Sequence, residues 1–456
     1  MSMDTAASKM SSLRSVPSEP LVEQSTKPLY SAAYIKYVIF LLMLVNVVNY
    51  MDRMALSVLL PLIKSDLQLS DTQLGLLTGA AFAIFYGVFG IPIARWADNG
   101  NRRNIIALAM TFWSGATALC GAATGFWSLF VTRIGVGIGE AGGIAPAQSM
   151  ISDYVPAGRR AGALSIHAAG ATLGIVAGLS LGGWLGELIG WRITFVVLAI
   201  PGLVMALVVK LTLREPVRGY ADGNATVTAA LPLKEVLIFL WRCRSYLHLC
   251  LALVISNFAV AGLMAWLPSF YARSFNLSMS EIGLYYGIAT GVGGTIGLLL
   301  GGFVANSLMQ RDVRFPIWLG ASAITLAAPV FLVALSIDSS VFSFGCVFLA
   351  HMIWGLSTAP KLVVIQSVVK PRMRAMASAV VILLSGVIGF SGGPLFVGIA
   401  SDHFAPVYGD ESLRYSLMAI TLLLPWAATH IFLASRSMKH DLKSVGVTFK
   451  RSIKET

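Results

Sequence analysis

L-Q-L-S-D-T-Q-L-G-L-L-T-G at 67–79 returns as F-N-L-S-M-S-E-I-G-L-Y-Y-G at 275–287, a shift of 208 positions without a gap. At the same shift A-R-W-A-D-N-G-N-R-R (94–103) meets G-F-V-A-N-S-L-M-Q-R (302–311), and Asn49-Tyr50 meets Asn257-Phe258. The chain is therefore read as one unit written twice. Outward from these strings the sequence is strongly apolar: 56% of its 456 residues are hydrophobic and 12% are charged. Soluble chains carry about 25% charged residues, so half the usual polar surface is missing. The 44 glycines suit close helix approach in lipid.

A helix needs about 20 apolar residues to cross a bilayer. Such stretches fall near 34–60, 73–97, 104–123, 127–151, 162–186 and 192–212, then near 246–271, 281–305, 315–336, 341–368, 375–400 and 413–435. The fold class is all-α membrane protein, with twelve transmembrane helices in two pseudo-symmetric six-helix bundles. The expected division is a disordered cytoplasmic tail (1–32), a first bundle (33–212), a cytoplasmic inter-bundle loop (213–245), a second bundle (246–436) and a cytoplasmic C-terminal tail (437–456). The net charge of +12 is a topology signal and not a nucleic-acid footprint. Of the basic residues, only Lys64, Arg192, Arg273 and Arg414 fall on the expected outer side, and Arg53, Arg133 and Lys361 within helices; the rest gather on the expected cytoplasmic side. The four cysteines show no metal or redox spacing.

Ionisable groups in hydrocarbon are expensive and therefore informative. The first half holds Asp52, Arg53, Arg133 and Glu140, whereas the repeat-related positions are Val260, Ala261 and, at a shift of 214, Val347 and Trp354. The scaffold does not need these charges, so coupling chemistry is expected in the first half. Arg133 and Glu140, seven residues apart, share a helix face about 10 Å apart along the axis. Asn46, Asn49 and Arg53 form a second stripe, and Asp52, rotated by about 100°, answers a different partner. Such a set either couples protonation to carboxylate–Arg pairing or orients helices as a static network. Lys361 either meets an anionic substrate or snorkels to the interface. His167 and His351 read as hydrogen-bonded packing residues. Gly170, Gly174, Gly178 and Gly182-Gly183 read as a packing stripe. Asp98, Arg102 and Arg103, after the second span, read as a conformational latch acting through charge and helix dipole.

Taken together, these residues resemble the major facilitator superfamily over essentially the whole chain. The segment 94–103 resembles its loop signature G-x-L-A-D-R-x-G-R-R/K, with Ala94, Trp96, Asn99 and Asn101 departing from it. L-F-V-T-R-I-G-V-G-I-G at 129–139 is similar to the motif whose Arg, here Arg133, is implicated in proton transfer. Gly178-Leu179-Ser180-Leu181-Gly182-Gly183 resembles the antiporter motif G-P-x-x-G-G with Leu179 in place of Pro. N-Y-M-D-R (49–53), F-W-S (112–114), V-G-I-G-E-A (136–141) and I-A-P (144–146) resemble the spinster family of lysolipid and sphingolipid transporters. That resemblance implies proton coupling by Asp52, Glu140 and Arg133.

The expectation is a proton-coupled secondary transporter of an amphiphile such as a lysophospholipid or sphingosine-type lipid. Substrate contacts are expected from Asn49, Arg53, Arg133, Glu140 and Lys361. The partners would be protons, the substrate and membrane lipids; the chain would be a monomer without cofactor, metal or nucleic acid. Short loops suggest a bacterial inner membrane. An organic-anion/proton symporter for small carboxylates or sugar acids is the alternative, and a non-transporting sensor on the same fold is another. Enzyme and channel readings lack a metal cluster, a nucleophile–base spacing, a P-loop or a pore-lining charge ring.

Overall fold

The computed structural model describes residues 30–222, 233–309, 311–312, 314–370 and 373–444. Residues 1–29 of the expected N-terminal tail, 223–232 of the expected loop and 445–456 of the C-terminal tail lie outside the described residues. The first half comprises α1 (Ala32–Leu67), α2 (Asp71–Thr78), α3 (Ala80–Asn99), α4 (Arg102–Cys120), α5 (Phe126–Glu140), α6 (Ile144–Tyr154) and α7 (Ala157–Thr212). A short helix, α8 (Leu233–Arg242), precedes the second half. That half comprises α9 (Arg244–Phe275), α10 (Met279–Gly287), α11 (Gly293–Met309), α12 (Phe315–Ser336), α13 (Ser340–Leu356), α14 (Thr358–Ser367), α15 (Arg374–Leu384), α16 (Ser391–Tyr408), α17 (Ser412–Thr421) and α18 (Leu423–Ser444). No strand occurs among the described residues.

The repeated string now has a physical meaning. α1 ends at Gln68 and α9 at Asn276, the two non-glycine residues with positive φ (52° and 50°) among the described residues, and they are repeat-related. Each stop is followed by a capping box, Ser70 with Gln73 and Ser278 with Glu281. The reciprocal bonds satisfy the first amides of α2 and α10 and fix the angle at which the next helix starts. The aligned glycines of the two strings then face the opposite half. A Cβ on Gly75 would lie 2.6 Å from the Pro394 carbonyl oxygen of α16, and one on Gly283 2.2 Å from that of Leu179 in α7. The duplicated string is the seam between the halves.

Several expected single spans are interrupted. Gly79 separates α2 from α3, residues 141–143 separate α5 from α6, and π-helical turns at Ile288–Val292 and Ser385–Phe390 lie within the eighth and eleventh spans. Glycine supplies the backbone latitude at these places. The fifth and sixth spans meet inside α7 at Gly190, whose φ of 76° and ψ of 159° break the helix where a side chain would be strained. Among the described residues, seven stretches are each long and apolar enough to cross a membrane, and two of them, of 56 and 63 residues, are long enough for two crossings. α8 was not expected inside the loop; it forms because Val236 and Leu240, one turn apart, are buried on one face.

The glycine stripe of α7 is a packing surface. Cβ atoms on Gly170, Gly174 and Gly178 would each lie 2.4 Å from a carbonyl oxygen of α1, those of Met43, Val47 and Met51. Backbone cannot yield as a side-chain tip can, so overpacking here should cost about 1–3 kcal/mol. Gly178→Ala is expected to lower the thermal midpoint in detergent, whereas Gly294→Ala, with open space around the new methyl, should leave it unchanged or raised. Equal midpoints for the two variants would contradict the packing assignment.

Candidate substrate and coupling site

α1, α3, α4 and α5 bring the four buried charges of the first half together. Arg53 donates to one oxygen of Glu140 twice, from Nε at 3.0 Å and from Nη2 at 2.5 Å, and reaches Asn49 Oδ1 at 3.4 Å. Glu140 is fully buried and the Arg53 side chain is 20% exposed. Glu140 is thus paired across helices and not along its own. Seven residues of helix place Arg133 about 10 Å along the axis, too far for a direct bond.

Aromatic rings surround this pair. The Arg53 guanidinium carbon lies 4.9 Å from the Tyr50 ring centroid, 4.5 Å from Phe82 and 5.3 Å from Tyr86. The guanidinium carbon of Arg133 lies 5.6 Å from the same Phe82 ring, so one ring serves both cations. Gly137 makes the approach feasible, since a Cβ there would sit 2.6 Å from the Phe82 carbonyl oxygen. Asp52 is fully buried. Neither of its oxygens has a hydrogen-bond partner among the described residues, nor have Nε and Nη1 of Arg133 or Nε1 of the neighbouring Trp113. Four charges are gathered, but one ion pair is made.

The other predicted residues separate from this cluster. Lys361, in α14, is 2% exposed and has no hydrogen bond or ion pair among the described residues; its Nζ lies 5.9 Å from the Trp354 ring, which occupies the repeat-related position of Glu140. Asn46 donates to the His167 carbonyl at 2.9 Å, and ring nitrogens of His167 and His351 bond the Leu42 and Val347 carbonyl oxygens, which accounts for the histidines as packing groups. Arg102 is buried and bonds Asp153, Ser149, Glu215 and the Pro216 carbonyl oxygen, while Arg103 reaches the Leu213 carbonyl oxygen. Asp98 is exposed and has no such partner among the described residues. The two arginines of the expected latch thus tie α4 to α6 and to the start of the loop after α7, and no bond to the second half is made by them among the described residues.

A second cluster escaped the sequence reading. At the end remote from the loop, buried Asp71 accepts from Arg273 Nη1 and Nη2 at 2.7 and 2.6 Å, from Lys64 at 2.5 Å and from the Ser401 hydroxyl at 2.6 Å. Asp402 of α16 accepts from the backbone N–H groups of Asp71 and Thr72 at 3.0 and 2.7 Å, where the dipole of α2 favours an anion. Glu187 of α7 accepts from the amide and hydroxyl of Ser280 in α10, at 3.0 and 2.5 Å. Among the described residues, polar bonds between the halves gather here and along the α7–α10–α11 seam. These bonds tie the two halves to each other at that end. Asp71 has Met279 as its repeat-related partner, and the comparison that singled out Asp52 would have singled it out too.

Residues 42–394 match the family model described as Major Facilitator Superfamily. An MFS-type efflux pump of Mycolicibacterium smegmatis is 32% identical over 88% of this chain and 92% of its own length. A hexuronate transporter of Bacillus subtilis is 30% identical over 61% of the chain and 66% of its own, and the sphingosine-1-phosphate transporter SPNS2 of Danio rerio 27% over 82% and 78%. Among solved structures, a bacterial homolog of the human lysosomal transporter spinster, in an inward-facing and unoccupied conformation, superposes with a TM-score of 0.81. It is 32% identical over 90% of this chain and 99% of that one. With a fold, a family model and full-length relatives all in agreement, the chain belongs to the Major Facilitator Superfamily as a non-enzymatic membrane transporter that resembles the spinster proteins.

Proposed function

We propose that the chain is a proton-coupled transporter moving an amphiphilic lipid, of lysophospholipid or sphingosine type, by alternating access. The observation that carries this reading is the inequality of the two buried acids. Glu140 has its charge balanced by a direct bond from Arg53; among the described residues neither oxygen of Asp52 meets a donor at bonding geometry, and burying a carboxylate without such a bond costs several kcal/mol. Carrying a proton removes that cost. Asp52 is the proton carrier in this reading, and Arg133, with two unbonded nitrogens, is the cation that takes a carboxylate when the proton leaves. Glu140 and Arg53 respond because both cations rest on Phe82.

The second half offers Val260, Ala261 and Val347 at the corresponding positions, which suits an alkyl chain. Lys361 is the one intramembrane cation expected there, placed to meet an anionic part of the substrate. The likeness to a named sphingosine-1-phosphate transporter supports a lipid substrate. The end bearing Asp98 and the inter-half loop is assigned to the cytoplasm of a bacterial cell, with the protein working as a monomer. In this reading the bonds of Asp71, Arg273 and Asp402 close the far end, and the state is inward-facing, the conformation named for the spinster homolog it resembles.

Uptake of fluorescent lysolipid into proteoliposomes, with and without an imposed proton gradient, tests the reading. Wild-type protein should show gradient-stimulated flux, and Glu140→Gln should lose the stimulation. Gradient-stimulated lipid flux in Glu140→Gln equal to wild type would remove Glu140 from the coupling. Absence of lipid flux, with acidification on adding hexuronate, would replace the lipid by a small organic anion. Asp52→Asn, which mimics the protonated acid, is expected to abolish gradient stimulation while retaining passive exchange of substrate.

The far-end clamp gives a separate expectation. Removing the Asp71 carboxylate takes away the acceptor shared by Arg273, Lys64 and Ser401; because both cations are partly solvent-exposed, the loss stays below the roughly 3–5 kcal/mol of a fully buried pair. Asp71→Ala should therefore raise labelling of cysteines introduced along α10 near Ser280 by a membrane-impermeant thiol reagent applied from that side. Unchanged labelling would mean that the clamp does not hold the far end closed.

A further inference from the structure

The break in α7 leaves a groove that the transport site does not use. Gly190 turns the chain between the fifth and sixth spans with a φ of 76°, and open space surrounds the position its Cβ would take. Beside it lies a cavity of about 450 Å³, between the end of α1 and the turn, at the end of the protein remote from the inter-half loop. Leu62, Ile189 and Ile193 wall the cavity, and Asp66 and Arg192 supply its charges. Ile193, like Trp184 and Leu188 earlier along α7, is exposed apolar surface, so in a membrane transporter the groove opens toward acyl chains. A concave, mostly apolar space with a few fixed polar groups has the form of a small-ligand site.

The ion pair in this groove is firmly placed but only half used. Arg192 Nη1 and, at 3.3 Å, Trp191 Nε1 both donate to Asp66 Oδ2. Arg192 Nη2 donates to the Ala123 carbonyl oxygen at 3.3 Å, and the guanidinium carbon lies 4.3 Å from the Trp191 ring centroid. Three contacts thus fix the plane of the arginine. Asp66 Oδ1 and Arg192 Nε make no hydrogen bond among the described residues, and both side chains are partly exposed. A charged acceptor and a charged donor, side by side in an apolar groove, fit a ligand that carries a cation next to an anion at the head of an alkyl chain.

We propose that this groove binds the headgroup of a phosphatidylethanolamine-type lipid from the surrounding leaflet. The primary ammonium donates to Asp66 Oδ1, the phosphate accepts from Arg192 Nε, and an acyl chain runs along Leu62, Ile189 and Ile193. A primary ammonium has three donors and bonds a carboxylate directly; a trimethylammonium has none. An anionic headgroup without a cation places its charge beside Asp66 with nothing to answer that acid. One acid and one arginine together therefore select a zwitterion. Fourteen residues of α1, about 20 Å of helix, separate Asp66 from Asp52, so the site is assigned to a resident lipid and not to the transported molecule.

Lipids with identical acyl chains, titrated onto the detergent-solubilised protein and counted by native mass spectrometry, test this. Wild-type protein is expected to retain phosphatidylethanolamine about tenfold more strongly than phosphatidylcholine or phosphatidylglycerol, the scale of one charge-assisted hydrogen bond. Asp66→Asn should lower phosphatidylethanolamine to the phosphatidylcholine level. Arg192→Gln should weaken both lipids alike, since both carry the phosphate. Ile193→Trp fills the groove and keeps both charges; it should reduce phosphatidylethanolamine binding several-fold, and it carries the test where Asp66→Asn does not give monodisperse protein. Soluble phosphoethanolamine at the same concentration should leave the lipid bound, because it lacks the chain that the apolar walls take up. Its displacing the lipid would give the groove to a soluble zwitterion and overturn the assignment. No preference for phosphatidylethanolamine in wild type, an undiminished preference in Asp66→Asn, or undiminished binding in Ile193→Trp would overturn it equally. The readout needs neither a gradient nor a transported substrate, so it stands or falls separately from the transport reading.

Discussion

Hydrocarbon tolerates a charge only when something answers it, and the layout of this protein follows from that constraint. The four basic residues assigned to the outer side by sequence are each consumed in an ion pair: Lys64 and Arg273 with Asp71, Arg192 with Asp66, and Arg414 with Glu411. Within the helices, the firm pair is Arg53 with Glu140. Around it the protein holds Asp52 and Arg133 close by without bonding them in the same way. A static network would satisfy every member, since partly satisfied buried networks are costly. Among the described residues, this one leaves atoms of both acids and of Arg133 without a hydrogen bond.

The duplicated scaffold lets those groups act. Its two halves share the helix stop, the capping box and the first seam glycine at one shift of 208 positions, and they meet along α2–α16 and α7–α10. The charges break the symmetry. They place ionisable groups in one half and leave the other without them at the corresponding positions, Val260, Ala261, Val347 and Trp354; Lys361 lies at none of these. Asp71 adds a second asymmetry at the far end, where a residue of the first half collects donors from both. In the proposed transport cycle, a change of protonation in the middle of the first half and a break at the far-end clamp are the two local events that let such bodies rock.

Much of this was legible in the sequence, for definite reasons. Apolar runs of about 20 residues and an ungapped repeat fix the class, because the membrane leaves few alternatives. The four charges stood out against apolar repeat partners, and the glycine stripe of α7 was readable as packing by its spacing. What was not legible depends on the third dimension. Glu140 chose Arg53 on another helix, not the arginine on its own. Asp71 was not singled out until the fold brought Arg273, Lys64 and Ser401 onto it. Arg102 and Arg103 tie the first half to itself. The breaks at Gly79, Gly190 and the two π-helical turns follow from local backbone freedom that hydropathy does not report.

The central claim is that the Arg53–Glu140 bond is a real energetic coupling on which the site depends, and a double-mutant cycle on thermal stability tests it most directly. Arg53→Ala and Glu140→Gln should each lower stability by leaving a buried group without its counterpart, and the double variant should be more stable than the sum of the two losses by about 1–3 kcal/mol. Additive losses, within a few tenths of a kcal/mol, would mean that the two side chains are neighbours without being partners, and the account of the site would fall with them.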